Sequence, residues 1–211
     1  MRCRVEVAFT REALDEETGA SKAEVGVVME LRRVGEVDRF QATGLSRGSF
    51  ASDDPVARVR AFRAALAGAL DEVSRSNLLH LDALEKADAA LIADLGASDP
   101  RVRDYAIQVL GERRCAAAVP GLVGRLGDDR DLALKAVGAL GAIGDPSAVP
   151  ALIEMGQTRD PQFLLALTDV VARLGGKDAE AFLFTLESGH SEEEVRRAAQ
   201  EALVRLRAGD A

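Results

Sequence analysis

The chain has 211 residues, with 35 acidic against 27 basic side chains, a formal net charge of −8 and an aromatic content of 4% that includes no Trp. Duplex phosphates are bound by Lys and Arg, and single strands by stacked rings, so this composition argues against nucleic acid as a partner. Hydrophobic residues reach 47%, enough for a core, and their bias toward Ala, Leu, Val and Gly favours helices packed through small side chains.

From Arg2 to about Phe50 apolar residues recur with a period of two. Cys3, Val5, Val7 and Phe9 alternate with Arg2, Arg4 and Glu6, and Val25, Val27, Met29 and Leu31 alternate with Glu24, Glu30 and Arg32; both runs read as half-buried strands. The polar stretch from Glu12 to Lys22 reads as a loop. Gly35-Glu36 reads as a turn into a third strand near Val37 to Leu45, with a bulge near Asp38-Arg39. After Ser52-Asp53-Asp54-Pro55, a helix start, the period becomes about 3.6. Val59, Phe62, Leu66, Leu70 and Val73 then form one stripe, which can cover a three-stranded sheet unable to bury itself.

Beyond about Glu85 the chain repeats itself with a period near 30. Asp99-Pro100, Asp129-Arg130 and Asp160-Pro161 each precede an apolar helix, and Ala118-Val119-Pro120-Gly121-Leu122-Val123 is matched by Ala148-Val149-Pro150-Ala151-Leu152-Ile153. Gly144 is placed to end a helix in a left-handed conformation, and Pro146 suits the next first turn. Ser191-Glu192-Glu193-Glu194 has the spacing of a capping box, with the acids complementing a helix dipole. The expected fold is mainly α: a small β-β-β-α domain over residues 1–84, then about four helix pairs over residues 85–211, each burying its apolar face against its neighbours.

The segment from Leu140 to Ile153, a helix, a Gly-Asp-Pro turn and a second helix, resembles the HEAT-like repeat of the phycobilin-lyase type. That resemblance implies an α-solenoid. Phycobilin lyases attach a tetrapyrrole to an acceptor cysteine, but the likeness here is confined to the repeat. Some HEAT-repeat proteins are di-iron hydroxylases with His-Glu ligand pairs, whereas here His80 is followed by Leu81 and His190 by Ser191. Both histidines read as surface or helix-end residues. With no H-E-x-x-H, G-x-S-x-G or phosphate-binding loop, the expectation is a non-enzymatic scaffold that needs no metal or cofactor and binds another protein. A lyase-accessory subunit and a self-assembling module are the alternatives. No stretch approaches the ~18 apolar residues of a membrane span, and cytoplasmic placement is the default, with the periplasm or cell envelope as the alternative if an export signal has been removed. Cys3 and Cys115 lie far apart, outside any C-x-x-C pair, and leave one long-range disulfide open.

The repeated helices share a pattern Val-Arg-x-x-Ala-x-x-x-Leu, whose second, third and sixth places are expected to face away from the core. The last helix carries Arg196, Arg197 and Gln200 there. The preceding ones carry Ala133, Leu134 and Val137, then Leu164, Leu165 and Thr168, with Ile107 from the first. Exposed apolar patches mark binding sites, so Ile107, Leu134, Val137, Leu164 and Leu165 are the expected partner contacts, with internal packing as the competing reading. A free edge of the N-terminal sheet, able to take up another strand or to support a homodimer, is a second candidate.

Overall fold

A computed structural model describes residues 2–14, 20–32, 39–51, 54–156 and 161–209. The chain divides into two compact units, Met1–Asp82 and Ala83–Ala211.

The first unit holds an antiparallel sheet of β1 (Arg2–Leu14), β2 (Ser21–Arg32) and β3 (Arg39–Phe50) in the order β1-β2-β3. The stretch expected to be a loop is partly strand, because Glu12, Ala13 and Leu14 pair with Ala23, Lys22 and Ser21. An ion pair of Glu12 with Arg58 at 3.0 Å helps hold this polar end of β1 in place. β3 runs past the expected end at Leu45. Val37 and Asp38 lie outside the described residues, and from Arg39 onward the register of β3 with β2 is unbroken. A register irregularity falls in β1, between Val7 and Phe9. It turns Phe9 to the outer face, where its ring occupies the space a side chain on Gly26 would need. On that face Glu24 is buried and ion-paired with both Arg11 and Arg47, the latter at 2.7 Å; the Arg11 hydrogen bond is the largest of the effects that lower its pKa.

The helix α1 (Pro55–Glu85) starts where Asp54 accepts the backbone N–H groups of Val56 and Ala57 at 2.8 and 3.0 Å, as an N-cap should. Its buried seam differs from the expected stripe. Ala61, Ala65, Ala69 and Val73 are buried, Phe62, Leu66 and Leu70 flank them half-buried, and Val59 is exposed. The reason lies in the strand beneath. A Cβ on Gly44 would stand 2.2 Å from the Ala69 carbonyl oxygen, and one on Gly48 would stand 2.9 Å from that of Ala61. Glycine in β3 and alanine in α1 let backbone approach backbone, and Phe62, Leu66 and Leu70 are left at the margins. His80 also departs from expectation: it is buried and its ring stacks on Phe40, with centroids 3.4 Å apart.

The second unit is a stack of helices. α2 (Asp88–Asp94), α4 (Val119–Arg125), α6 (Val149–Gly156) and α8 (Lys177–Gly189) alternate with α3 (Pro100–Glu112), α5 (Arg130–Ile143), α7 (Pro161–Leu174) and α9 (Glu193–Gly209). Each helix of the first set packs on the next of the second, giving four pairs, while α3, α5, α7 and α9 also pack on one another in series. The recurring aspartates are caps. Asp99 accepts from the Arg101 N–H at 2.9 Å, Asp129 from Asp131 and Leu132 at 3.1 and 3.2 Å, and Asp145 from Ser147 at 2.9 Å; Asp160 lies outside the described residues. Hydrogen bonds lower two of these carboxyls, Asp99 chiefly through the Arg101 side chain and Asp145 chiefly through the Ser147 backbone N–H. Gly144 closes α5 at φ 77°, a left-handed turn that glycine adopts without steric cost. At α9 the acids Glu193 and Glu194 sit in the first turn, and the Glu192 N–H donates to His190 Nδ1 at 3.1 Å. Cys3 and Cys115 are free thiols.

Candidate functional site

The residues expected to form a partner surface all belong to the second unit, and their places in α3, α5, α7 and α9 decide what they do. Ile107, Val137 and Leu164 are buried in the continuous core of the array, and Leu134 and Leu165 are half-buried against it. The expected free apolar surface is therefore corrected: three of its five residues are core. The sixth place is buried as Ile107, Val137 and Thr168 but exposed as Gln200. α3, α5 and α7 are each followed by another helix of the series, whereas α9 is the last one described. The change from apolar to polar at this place thus tracks stacking.

The second place has a different logic. Arg196 turns back to donate to the carbonyls of His190 and Ser191 at 2.7 and 2.8 Å. Arg103 does the same in the first repeat, reaching the Ala97 and Ser98 carbonyls at 2.7 and 3.3 Å and pairing with Asp128 at 3.0 Å. These arginines clamp the loop that enters their own helix, and Ala133 and Leu164 occupy the same place without a guanidinium. A guanidinium with its several donors satisfies carbonyls that would otherwise need water. The repeat pattern places Arg196 outward, whereas its guanidinium turns back; the signal for this in the sequence is that Arg103 and Arg196 each follow the contacted carbonyl by six residues.

Of these three places, the third alone remains near solvent in every repeat. There Asp104 makes an ion pair with Lys135 of α5 at 2.5 Å, while the corresponding residues further along are Leu134 and Leu165, and then the exposed Arg197. Beside Asp104 a shallow groove of about 330 Å3 runs between α3 and α5, with Gly111, Gly138 and Ala139 among its lining residues and Gln108, Glu112 and Lys135 as polar ones. The other layer carries a larger cleft of about 680 Å3 between α6 and α8, lined in part by Ile153, Leu164, Phe182 and Leu186, with Asp178 and His190 as its ionisable residues. Ile107 lines the first recess and Leu164 the second, so the expected residues do not converge on one site. Among the described residues no group of three or more His, Cys, Asp or Glu side chains is placed to hold a metal ion, and no helix is long and apolar enough to cross a membrane.

Stacked helix pairs with Asp-capped starts define a helical-repeat scaffold, and the comparisons with known proteins specify its kind. Residues 89–168 match the model for HEAT repeats. A bilin biosynthesis protein, PecE of Mastigocladus laminosus, is 35% identical over 111 residues, which is 50% of this chain and 39% of PecE. The array is thus built of HEAT repeats over residues 89–168, and a three-stranded sheet and a long helix precede it in the chain.

Proposed function

We propose that the protein is a non-enzymatic interaction scaffold that holds another protein against the face formed by α3, α5, α7 and α9. The observation that carries this reading is the pair Leu134 and Leu165, only half-buried on successive helices where the first repeat places Asp104 in an ion pair. Two apolar side chains kept near solvent within a polar surround have the composition of a contact centre with a polar rim. Ile107, Val137 and Leu164 serve this surface from beneath, by fixing the spacing of the helices that present it.

The test is the double substitution Leu134→Glu and Leu165→Glu, assayed by affinity capture and by thermal melting. Both side chains keep access to water, so the array is expected to stay folded at a cost of about 1–3 kcal/mol, with loss of a protein that the wild type captures reproducibly. A folded double mutant that still captures that protein refutes this face as the contact. If the glutamates unfold the array, Leu134→Ala with Leu165→Ala repeats the measurement without introducing charge.

The similarity to PecE favours a second reading, in which this chain takes part in bilin biosynthesis and the cleft between α6 and α8 receives the pigment. Its apolar lining and its recess of about 680 Å3 suit a ligand larger than a metabolite fragment. Titration with a linear tetrapyrrole, followed by visible absorbance, separates the readings. A saturable shift lost on Phe182→Asp supports the second, and an unchanged spectrum removes it.

A further inference from the structure

The first unit has an exposed strand of its own. Among the described residues β1 is an edge of the sheet, paired on one side only with β2. All of β1 is exposed except Ala13, which is half-buried. Its two faces are unlike. Val5 and Val7 pair with Met29 and Val27 and so lie on the face that α1 covers, yet they remain 47% and 48% exposed. The seam of α1 rests on the glycines of β3, which draws the helix away from β1. An open cleft of about 430 Å3 remains between β1 and α1, with Val7, Phe62 and Leu66 in its wall. On the opposite face Arg4 and Glu6 form a weak pair at 3.3 Å and are 75% and 64% exposed.

We propose that β1 is a dimerisation strand, and that two copies of this chain pair antiparallel through it about Val5. In that register Val5 faces Val5 of the second copy, Cys3 faces Val7 and Arg4 faces Glu6. The apolar row of one copy meets the apolar row of the other on the α1 face, and opposite charges meet on the outer face. Charge selects this register from its neighbours. Shifting the pairing by one residue in each strand places Arg4 against Arg4 in one direction and Glu6 against Glu6 in the other, and like charges directly opposite one another destabilise a pair of strands. Facing residues share odd or even parity throughout, so the outward hydrogen-bonding groups of one strand meet those of the other. The irregularity after Val7 marks the natural end of the ladder.

An edge strand is commonly protected by charges pointing inward, by proline or by its shortness. β1 has 13 residues and no proline, and before the irregularity its charges lie only on the outer face, with both signs present. Self-pairing closes that edge. It joins two three-stranded sheets into one of six strands and brings a second set of Val5 and Val7 side chains to the floor of the open cleft. This surface is independent of the binding face proposed for the array.

Sedimentation velocity across a concentration series is expected to give a dimer for the full chain. Glu6→Arg should convert it to a monomer by setting Arg4 against a new positive charge, and Arg4→Glu added to Glu6→Arg should restore the dimer. Circular dichroism checks that these exposed substitutions leave the fold intact. In a background of Cys3→Ser and Cys115→Ser, Val5→Cys should yield a disulfide dimer under mild oxidation, since facing strand residues stand close to disulfide distance. Val7→Cys should not, because its partner is then the serine at position 3. A wild-type chain that is monomeric at every concentration overturns the proposal and leaves the edge unoccupied or open to a strand of another protein. A dimer indifferent to Glu6→Arg, or crosslinking at Val7→Cys equal to that at Val5→Cys, overturns it as well. Should Glu6→Arg fail to fold, the two cysteine variants decide.

Discussion

The sheet unit and the repeat array bury their apolar residues by different means. In the array each helix supplies leucine, valine or phenylalanine to a core that passes from repeat to repeat, with Leu110, Leu122, Leu140, Leu152, Phe163, Leu167 and Leu183 almost wholly enclosed. In the sheet unit the core is thin, made of Ala65, Ala69 and Val73 over Val25, Val27 and Gly44, with Ala61 over Gly48 and with Phe62, Leu66 and Leu70 only half-buried at its margins. A core of large side chains tolerates imperfect fit in many small increments, whereas backbone laid on backbone tolerates no added atom. The array closes its own surface through its neighbours. The sheet unit leaves β1 uncovered.

That contrast can be broken most severely at Gly44. Gly44→Val places a Cβ 2.2 Å from a main-chain oxygen that cannot rotate away, so α1 must lift from the sheet, at an expected cost upwards of about 3 kcal/mol. Hydrogen exchange should show amide protection lost in β2 and β3 while α5 keeps its own; equal loss in both would mean that the units are not separately stabilised. Leu140→Ala is the matching change in the array. It removes a fully enclosed side chain and is expected to cost about 3 kcal/mol by chemical denaturation, with protection lost in α5 and its stacked neighbours and retained in β2.

Smaller effects sharpen the array's side of the comparison. Arg103→Ala removes the clamp on the Ala97 and Ser98 carbonyls together with the Asp128 ion pair, and about 1–2 kcal/mol should be lost. Arg103→Lys should recover only part of this, since an ammonium lacks the planar fork of donors. A cost below about 0.3 kcal/mol for Arg103→Ala would show that water replaces the clamp freely.

Acid should act on the helix caps. The Asp99 and Asp145 carboxyls titrate below their ordinary range in the folded chain. Their contribution is therefore complete above the unfolded value of about 4 and is lost as pH falls through the lower folded one. Asp99→Asn with Asp145→Asn keeps a capping oxygen at each site and removes the titration, so the double variant should show a flatter stability profile below about pH 4 than the wild type. The smallest expected change is a gain. Nothing lies within 4 Å of a Cβ added at Gly138 in α5, and Gly138→Ala should raise stability by about 0.5–1 kcal/mol through helix propensity.

Much of this architecture was legible in the residues themselves. The switch of period from two to 3.6 near Pro55, the Asp-Pro recurrence and the Gly144 turn are local, and local geometry follows from which backbone conformations and caps each residue favours. The direction in which a place on a repeated helix faces is not local. Ala133, Val137 and Ile107 belong to a surface only if no further helix stacks upon them, and that depends on residues some 30 positions away. The same limit hid the loop-clamping role of Arg196, the burial of His80 against Phe40 and the alanine seam of α1. Amphipathic periodicity ranks side chains by polarity, so it favoured Phe62, Leu66 and Leu70. Only the close approach that Gly44 and Gly48 permit buried Ala61, Ala65 and Ala69 more deeply than those three, because the distance between two packed backbones is fixed by the pair of elements and by neither one alone.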